Sequence, residues 1–182
     1  SWRAYDNTLT GGDYTKGWGR IVMTLSPSNQ NLLYALVENT DDAASSKPEA
    51  DLYKCNMATT PFSWTKLTNS LVAKRNATTE KYLELQGGYN MLVAVHPTNE
   101  NLVLVGGVNL FKSTDGFATK DNVVFAGGVT SSTYTDADGV SHADIHSFAF
   151  DPSDPNKVAI GSDGGIGFIK DISASSPEWV IG

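Results

Sequence analysis

The sequence predicts an all-β protein: a β-propeller segment of about three four-stranded antiparallel blades, part of an incomplete or larger propeller. Three observations predict it. Glycine is plentiful and helix-period apolar patterns are scarce. A proline-centred turn between two apolar runs recurs along the chain. Each recurrence is followed by two more short strand-like runs, so the repeating unit holds four strands.

The first pair of strands in each unit is the clearest. The copies read IVMTLSPSNQNLLYALV from Ile21, MLVAVHPTNENLVLVGG from Met91 and SFAFDPSDPNKVAIGSDGG from Ser147. Pro27, Pro97 and Pro152 preset φ for a tight turn, and Asn29, Asn99 and Asp154 can accept from backbone N–H groups ahead of them. Two β-rich runs joined this way form an antiparallel hairpin. Third strands follow at DLYKCN from Asp51, NLFKSTDG from Asn109 and IGFIKD from Ile166. Fourth strands follow at FSWTKL from Phe62, NVVFAG from Asn122 and PEWVIG from Pro177. Trp64 and Trp179, on these outer strands, are expected to pack between neighbouring sheets.

The units cover about 10–71, 72–126 and 127–182 of one segment spanning 1–182, with 1–9 read as the outer strand of a preceding blade. A β-sandwich is the competing architecture, but it gives no reason for the turn to recur. Closed propellers use roughly four to eight blades. The chain is therefore expected to be a piece of a longer protein, to self-associate or to borrow a strand, with apolar surface on the sheets at either end.

Charge narrows the partners. Thirteen Lys and Arg against twenty Asp and Glu give a net charge of −7, which disfavours nucleic acid. No apolar run reaches the roughly 20 residues that span a bilayer, so no membrane partner is expected. The opening SWRAYDN lacks a basic start and an apolar core, so no signal peptide is read there. The single cysteine, Cys55, excludes an internal disulfide framework.

The stretch KSTDGFAT, from Lys112 to Thr119, resembles an Asp-box (S-x-D-x-G-x-[T/S]-W), the turn between third and fourth strands in BNR/Asp-box propellers. Ser113, Asp115 and Thr119 match, while Phe117 replaces the glycine and Lys120 the tryptophan. YKCNMATTPFSW and IKDISASSPEW keep only the tryptophan. The resemblance covers nearly the whole chain and is closest to the sortilin-like and xyloglucanase-like glycosyl hydrolase group. It implies a secreted or cell-surface bacterial protein, glycan-related and of hydrolase-like ancestry. Asp-boxes are structural in such families, so the match bears on fold and leaves activity open.

Blade topology gathers the loops between second and third strands on the face that also carries the links between blades. These are Thr10–Arg20, Glu38–Ala50, Thr68–Asn90, Gly106–Val108, Ala126–His146 and Ser162–Gly165. Function concentrates in such loops on a rigid scaffold. His142, Asp144 and His146 alternate in what reads as an extended lead into an inner strand, facing one way with Phe148 and Phe150 toward Asp163. Neighbours two apart sit roughly 6.6 Å apart along a strand and the histidines roughly 13 Å, so one shared metal requires a kink. These side chains serve either to hydrogen-bond the loop in place or to contact a ligand, and no metal or other cofactor is expected.

Asp144 and Asp163 are the candidate catalytic carboxylates, since glycoside hydrolysis uses two acids with separated pKa values. Arg20, Trp18, Tyr89 and Asn90 occupy the starts of the first two inner strands and are candidate ligand contacts; the alternatives are packing for Arg20, and gap-filling instead of stacking on sugar rings for the aromatics. Only Arg3, Arg20 and Arg75 occur, too few for a carboxylate-binding arginine cluster of the sialidase kind. TDADG, ending at Gly139, reads as a solvated hairpin tip rather than a calcium loop. Asp163-Gly164-Gly165 aligns with Gly106-Gly107-Val108, a tight turn. The function class stays open between a glycan-acting propeller and a non-catalytic protein-interaction or scaffold propeller.

Overall fold

A computed structural model describes residues 18–39, 48–72, 81–129 and 141–181. It contains three four-stranded antiparallel sheets and, among the described residues, no α-helix. Sheet 1 is β1 (Trp18–Ser26), β2 (Asn29–Asn39), β3 (Ala50–Asn56) and β4 (Ser63–Lys66). Sheet 2 is β5 (Leu92–His96), β6 (Asn99–Gly106), β7 (Leu110–Ser113) and β8 (Val123–Gly127). Sheet 3 is β9 (Ile145–Phe150), β10 (Val158–Ser162), β11 (Gly165–Ile169) and β12 (Trp179–Ile181). Each sheet is ordered as the chain runs. The first strands lie side by side, β1 against β5 and β5 against β9, so they form the inner edge of the stack.

The proline turns behave as their chemistry dictates. Asn31 N–H donates to Asn29 Oδ1 at 3.2 Å, Asn101 N–H to Asn99 Oδ1 at 3.1 Å, and Asn156 N–H to Asp154 Oδ1 at 3.4 Å. The first two turns are tight, with Ser26 opposite Asn29 and His96 opposite Asn99. The third is wider, because one extra residue and Pro155, which has no N–H, delay pairing until Val158 meets Phe150.

Strand alternation sorts the core. One face of sheet 1 (Leu32, Tyr34, Leu36, Leu52) packs on Val93, Val95, Val103, Val105 and Phe111 of sheet 2. The other face of sheet 2 (Leu102, Leu104, Leu110, Ala126) packs on Val158, Ile160, Ile169 and Trp179 of sheet 3. Sheet 2 is thus buried on both faces, and burial of this kind contributes about 25 cal/mol per Å² of apolar area.

Polar ties cross both seams. Tyr34 Oη donates to Gly116 O at 3.2 Å between sheets 1 and 2. Across the second seam Trp179 Nε1 donates to Ala126 O at 2.6 Å, and buried Lys112 Nζ donates to Ile172 O at 2.8 Å and to Ala174 O. Burial holds the Lys112 ammonium below the usual lysine pKa, against the opposing pull of Asp171.

Trp179 packs between sheets as expected; Trp64 does not. Trp64 lies half-buried, edge-on to Tyr53 with ring centroids 6.5 Å apart, on the face of sheet 1 turned away from sheet 2. No described sheet covers that face, where Ile21, Met23 and Leu25 are exposed. No described sheet covers the far face of sheet 3 either, where Ile166 is 69% and Phe168 39% exposed.

The turn after β7 is closed by its own side chains. Ser113 Oγ donates to Asp115 Oδ1 at 2.8 Å and accepts from Phe117 N–H at 2.8 Å. Asp115 Oδ2 accepts from Thr119 Oγ1 at 2.7 Å and Asn122 Nδ2 at 2.8 Å. Burial pushes the Asp115 carboxyl up, but the bonds from Asn122, Thr119 and Ser113 outweigh it and bring the pKa down to about 2. Phe117, where the motif carries glycine, has φ 61°, a costly conformation for a bulky residue. Its ring is fully buried among the sheet 1 and sheet 2 apolar residues, which offsets that strain.

Candidate functional site

The starts of the inner strands and the β10–β11 turn bring five of the residues singled out in the sequence together: Tyr89, Asn90, Asp144, His146 and Asp163. The expected extended lead into β9 is the point that the structure corrects. Asp144 has φ 63°, a left-handed conformation, so His142, Asp144 and His146 do not share one strand face. The chain bends there because its backbone is claimed by two turns. Asp144 N–H donates to Val108 O at 3.0 Å and Ile145 N–H to Gly107 O at 2.9 Å, while Asp144 O accepts from Asp163 N–H at 3.3 Å.

The bend separates the three side chains. His142 turns back over the β10–β11 turn, its Nδ1 3.0 Å from Ala143 O. A Cβ on Gly164 would lie 2.5 Å from the His142 ring, so only glycine admits this packing. Asp144 points to the segment before β5, where its Oδ1 accepts from Asn90 Nδ2 at 2.5 Å. His146 Nε2 meets Asp163 Oδ1 at 2.7 Å, and Tyr89 Oη donates to the same oxygen at 3.2 Å. The Tyr89 and His146 rings stand edge to face, 4.8 Å apart.

Environment drives the two carboxyls in opposite directions. Burial raises the Asp144 pKa, and the Asp163 charge adds to this against the Asn90 bond and the two histidines. The bond to His146 lowers the Asp163 pKa, with Tyr89 acting the same way against partial desolvation. The Tyr89 phenol is raised in turn, first by its bond to Asp163. Asn90 is fully buried, and its Oδ1 has no hydrogen-bond partner among the described residues.

Arg20 sits one sheet away and binds backbone. Its Nη1 donates to Gly88 O at 2.9 Å and to Tyr89 O at 3.3 Å, and its N–H donates to Glu38 Oε2 at 2.9 Å. Trp18 opens β1, but its side chain lies outside the described residues, as do TDADG and the strand expected at 1–9. Among the described residues no group of three or more His, Cys, Asp or Glu could hold a metal ion. Sequence reasoning missed Arg20's grip on Gly88 and Tyr89. The only signal for it was the glycine pair before Tyr89, which lets backbone approach closely.

No family model matches the chain, and no curated protein matches it. A solved structure does: a GH74 enzyme of Niastella koreensis, with a TM-score of 0.52 and 24% identity, over 86% of this chain and 22% of that one. The chain thus spans under a quarter of that neighbour's length, and at this identity the likeness concerns fold. Three four-stranded antiparallel sheets stacked in chain order, together with this neighbour, make the chain a β-propeller segment.

Proposed function

We propose that the chain is part of a glycan-acting propeller of an exported protein, with hydrolase-like ancestry, whose ligand lies against Tyr89, Asp144, His146 and Asp163. The observation that carries this reading is geometric: Asp144, His146 and Asp163 converge beside the exposed Tyr89 ring, with two carboxyls on one face. Asp144 is pushed toward its protonated form by burial, and Asp163 is held ionised by His146 and Tyr89. Acid and base roles in glycoside hydrolysis need that divergence. In this reading Asp144 donates a proton to a leaving oxygen and Asp163 supplies the carboxylate. Tyr89, 55% exposed, offers an aromatic surface to a sugar ring. The exported location and the assignment of the Ser113–Asp115–Thr119 turn as an Asp-box belong to the same reading.

A glycan array probed with the protein, followed by hydrolysis assays on any hit, tests it. Binding lost in Tyr89→Ala, with turnover lost in both Asp144→Asn and Asp163→Asn, is expected. Binding without turnover moves the site to a lectin-like role, and no binding to any glycan overturns the reading.

A second reading, a protein-interaction or scaffold propeller, draws on the uncovered face of sheet 3. A shallow groove of about 330 Å³ runs there between Ala149, Ala159, Phe168 and Val180. Its residues alternate like those of the covered faces, so another sheet, from further blades or a second copy, would fit it. Light scattering distinguishes a monomer from an assembly.

A further inference from the structure

We propose that Arg20 is a positioning residue for this site: from sheet 1 it holds the 86–90 strap that carries Tyr89 and Asn90 onto the sheet 3 carboxylates. The inference rests on the site reading above and assigns Arg20 a task other than ligand contact.

The strap makes a tight curl. Gln86, Gly87 and Gly88 have φ of 50°, 67° and 77°, three successive left-handed residues. Its internal closure is weak, since Tyr89 N–H to Gln86 O and Asn90 N–H to Leu85 O are both 3.4 Å. The shorter bonds come from sheet 1 and its loops. Arg20 Nη1 reaches Gly88 O at 2.9 Å and Tyr89 O at 3.3 Å, and Glu49 Oε2 accepts from Leu85 N–H at 2.7 Å. Glu38 Oε2 fixes the Arg20 backbone at 2.9 Å. The fit is close: a Cβ on Gly88 would lie 2.9 Å from both Arg20 Cβ and Glu38 Oε2.

What the strap delivers is held at one end only. Asn90 bonds Asp144 through Nδ2, while its Oδ1 has no partner among the described residues. Tyr89 Oη reaches Asp163 at 3.2 Å, a longer contact than the 2.7 Å between His146 and Asp163. These contacts orient the two side chains, and the backbone anchor sets where both of them start. Arg20 supplies two bonds to that backbone, one at Gly88 and one at Tyr89 itself.

The test reads protons rather than turnover. In ¹³C-labelled protein, the Asp163 Cγ and Tyr89 Cζ resonances are followed through pH in wild type, Arg20→Met, Arg20→Lys and Gly88→Ala. Loss of the Tyr89–Asp163 bond raises the Asp163 midpoint and lowers the Tyr89 midpoint, undoing the opposite shifts that this bond causes. Arg20→Met and Gly88→Ala are expected to show this reciprocal pair with the remaining amide spectrum unchanged. Arg20→Lys, which keeps one donor group, recovers part of it. Tyr89→Phe raises the Asp163 midpoint alone and sets the scale. Folded Arg20→Met and Gly88→Ala proteins with both midpoints at wild-type values overturn the proposal. If Arg20→Met fails to fold, the Gly88→Ala and Arg20→Lys titrations decide it. No ligand enters the measurement, so failure of glycan binding and failure of this inference are separate results.

Discussion

Tyr89 and Asp163, 74 residues apart and placed by different sheets, share a hydrogen bond of 3.2 Å on an oxygen that His146 also contacts. That single carboxylate oxygen joins the strap before sheet 2 to the inner strand and the β10–β11 turn of sheet 3. The pairing makes the face one site instead of three loop ends, and it sets the first prediction.

Replacing His146 with Ala removes the largest influence holding Asp163 down. The Asp163 midpoint is expected to rise further in His146→Ala than in Tyr89→Phe. Carboxyl NMR titration of the two variants checks the order; a larger rise in Tyr89→Phe contradicts it.

Trp179 fills the seam between sheets 2 and 3 at 5% exposure and donates to Ala126 O. Trp179→Ala is expected to lower stability by about 3–5 kcal/mol, the usual cost of emptying a large aromatic site. Urea unfolding measures this. Trp64→Ala, on the uncovered face of sheet 1, should cost clearly less.

Asp115 has its folded pKa depressed to about 2 by side-chain and backbone bonds. A depressed folded pKa means stability that is present above the unfolded aspartate value of about 3.9 and lost as pH falls through the folded value. Asp115→Asn is therefore expected to be less stable than wild type at neutral pH. The gap should narrow between about pH 4 and pH 2. Thermal melts across that window check the sign; a gap that widens with acid contradicts it.

Ile166 and Phe168 lie exposed on the free face of sheet 3. If that face takes another sheet, Ile166→Ser with Phe168→Ser should reduce association in light scattering while leaving the strand signal in circular dichroism unchanged. Association unaffected by the pair removes the face from the interface.

The sheets were legible because their signals are local. Proline turns with Asn29, Asn99 and Asp154, set between two apolar runs, fix the hairpins. The site was legible as a set of residues but not as a geometry. The series His142, Asp144, His146 has the period of a strand, and no local feature announces the left-handed turn at Asp144; partners at Val108, Gly107 and Asp163 impose it. Nor does any local feature announce that Lys112 of β7 is fully buried, with Ile172 and Ala174 of sheet 3's outer turn supplying carbonyls to its ammonium. The side on which Trp64 packs depends on which of sheet 1's faces meets sheet 2, a matter of stacking and not of spacing.

The divergence of Asp144 and Asp163 is tested most directly by a carboxyl ¹³C titration of both in the folded wild-type protein. The expected result is an Asp144 midpoint above the ordinary aspartate value and an Asp163 midpoint below it. Coincident midpoints, or Asp163 titrating above Asp144, would contradict the assignment of this face as an acid and base pair.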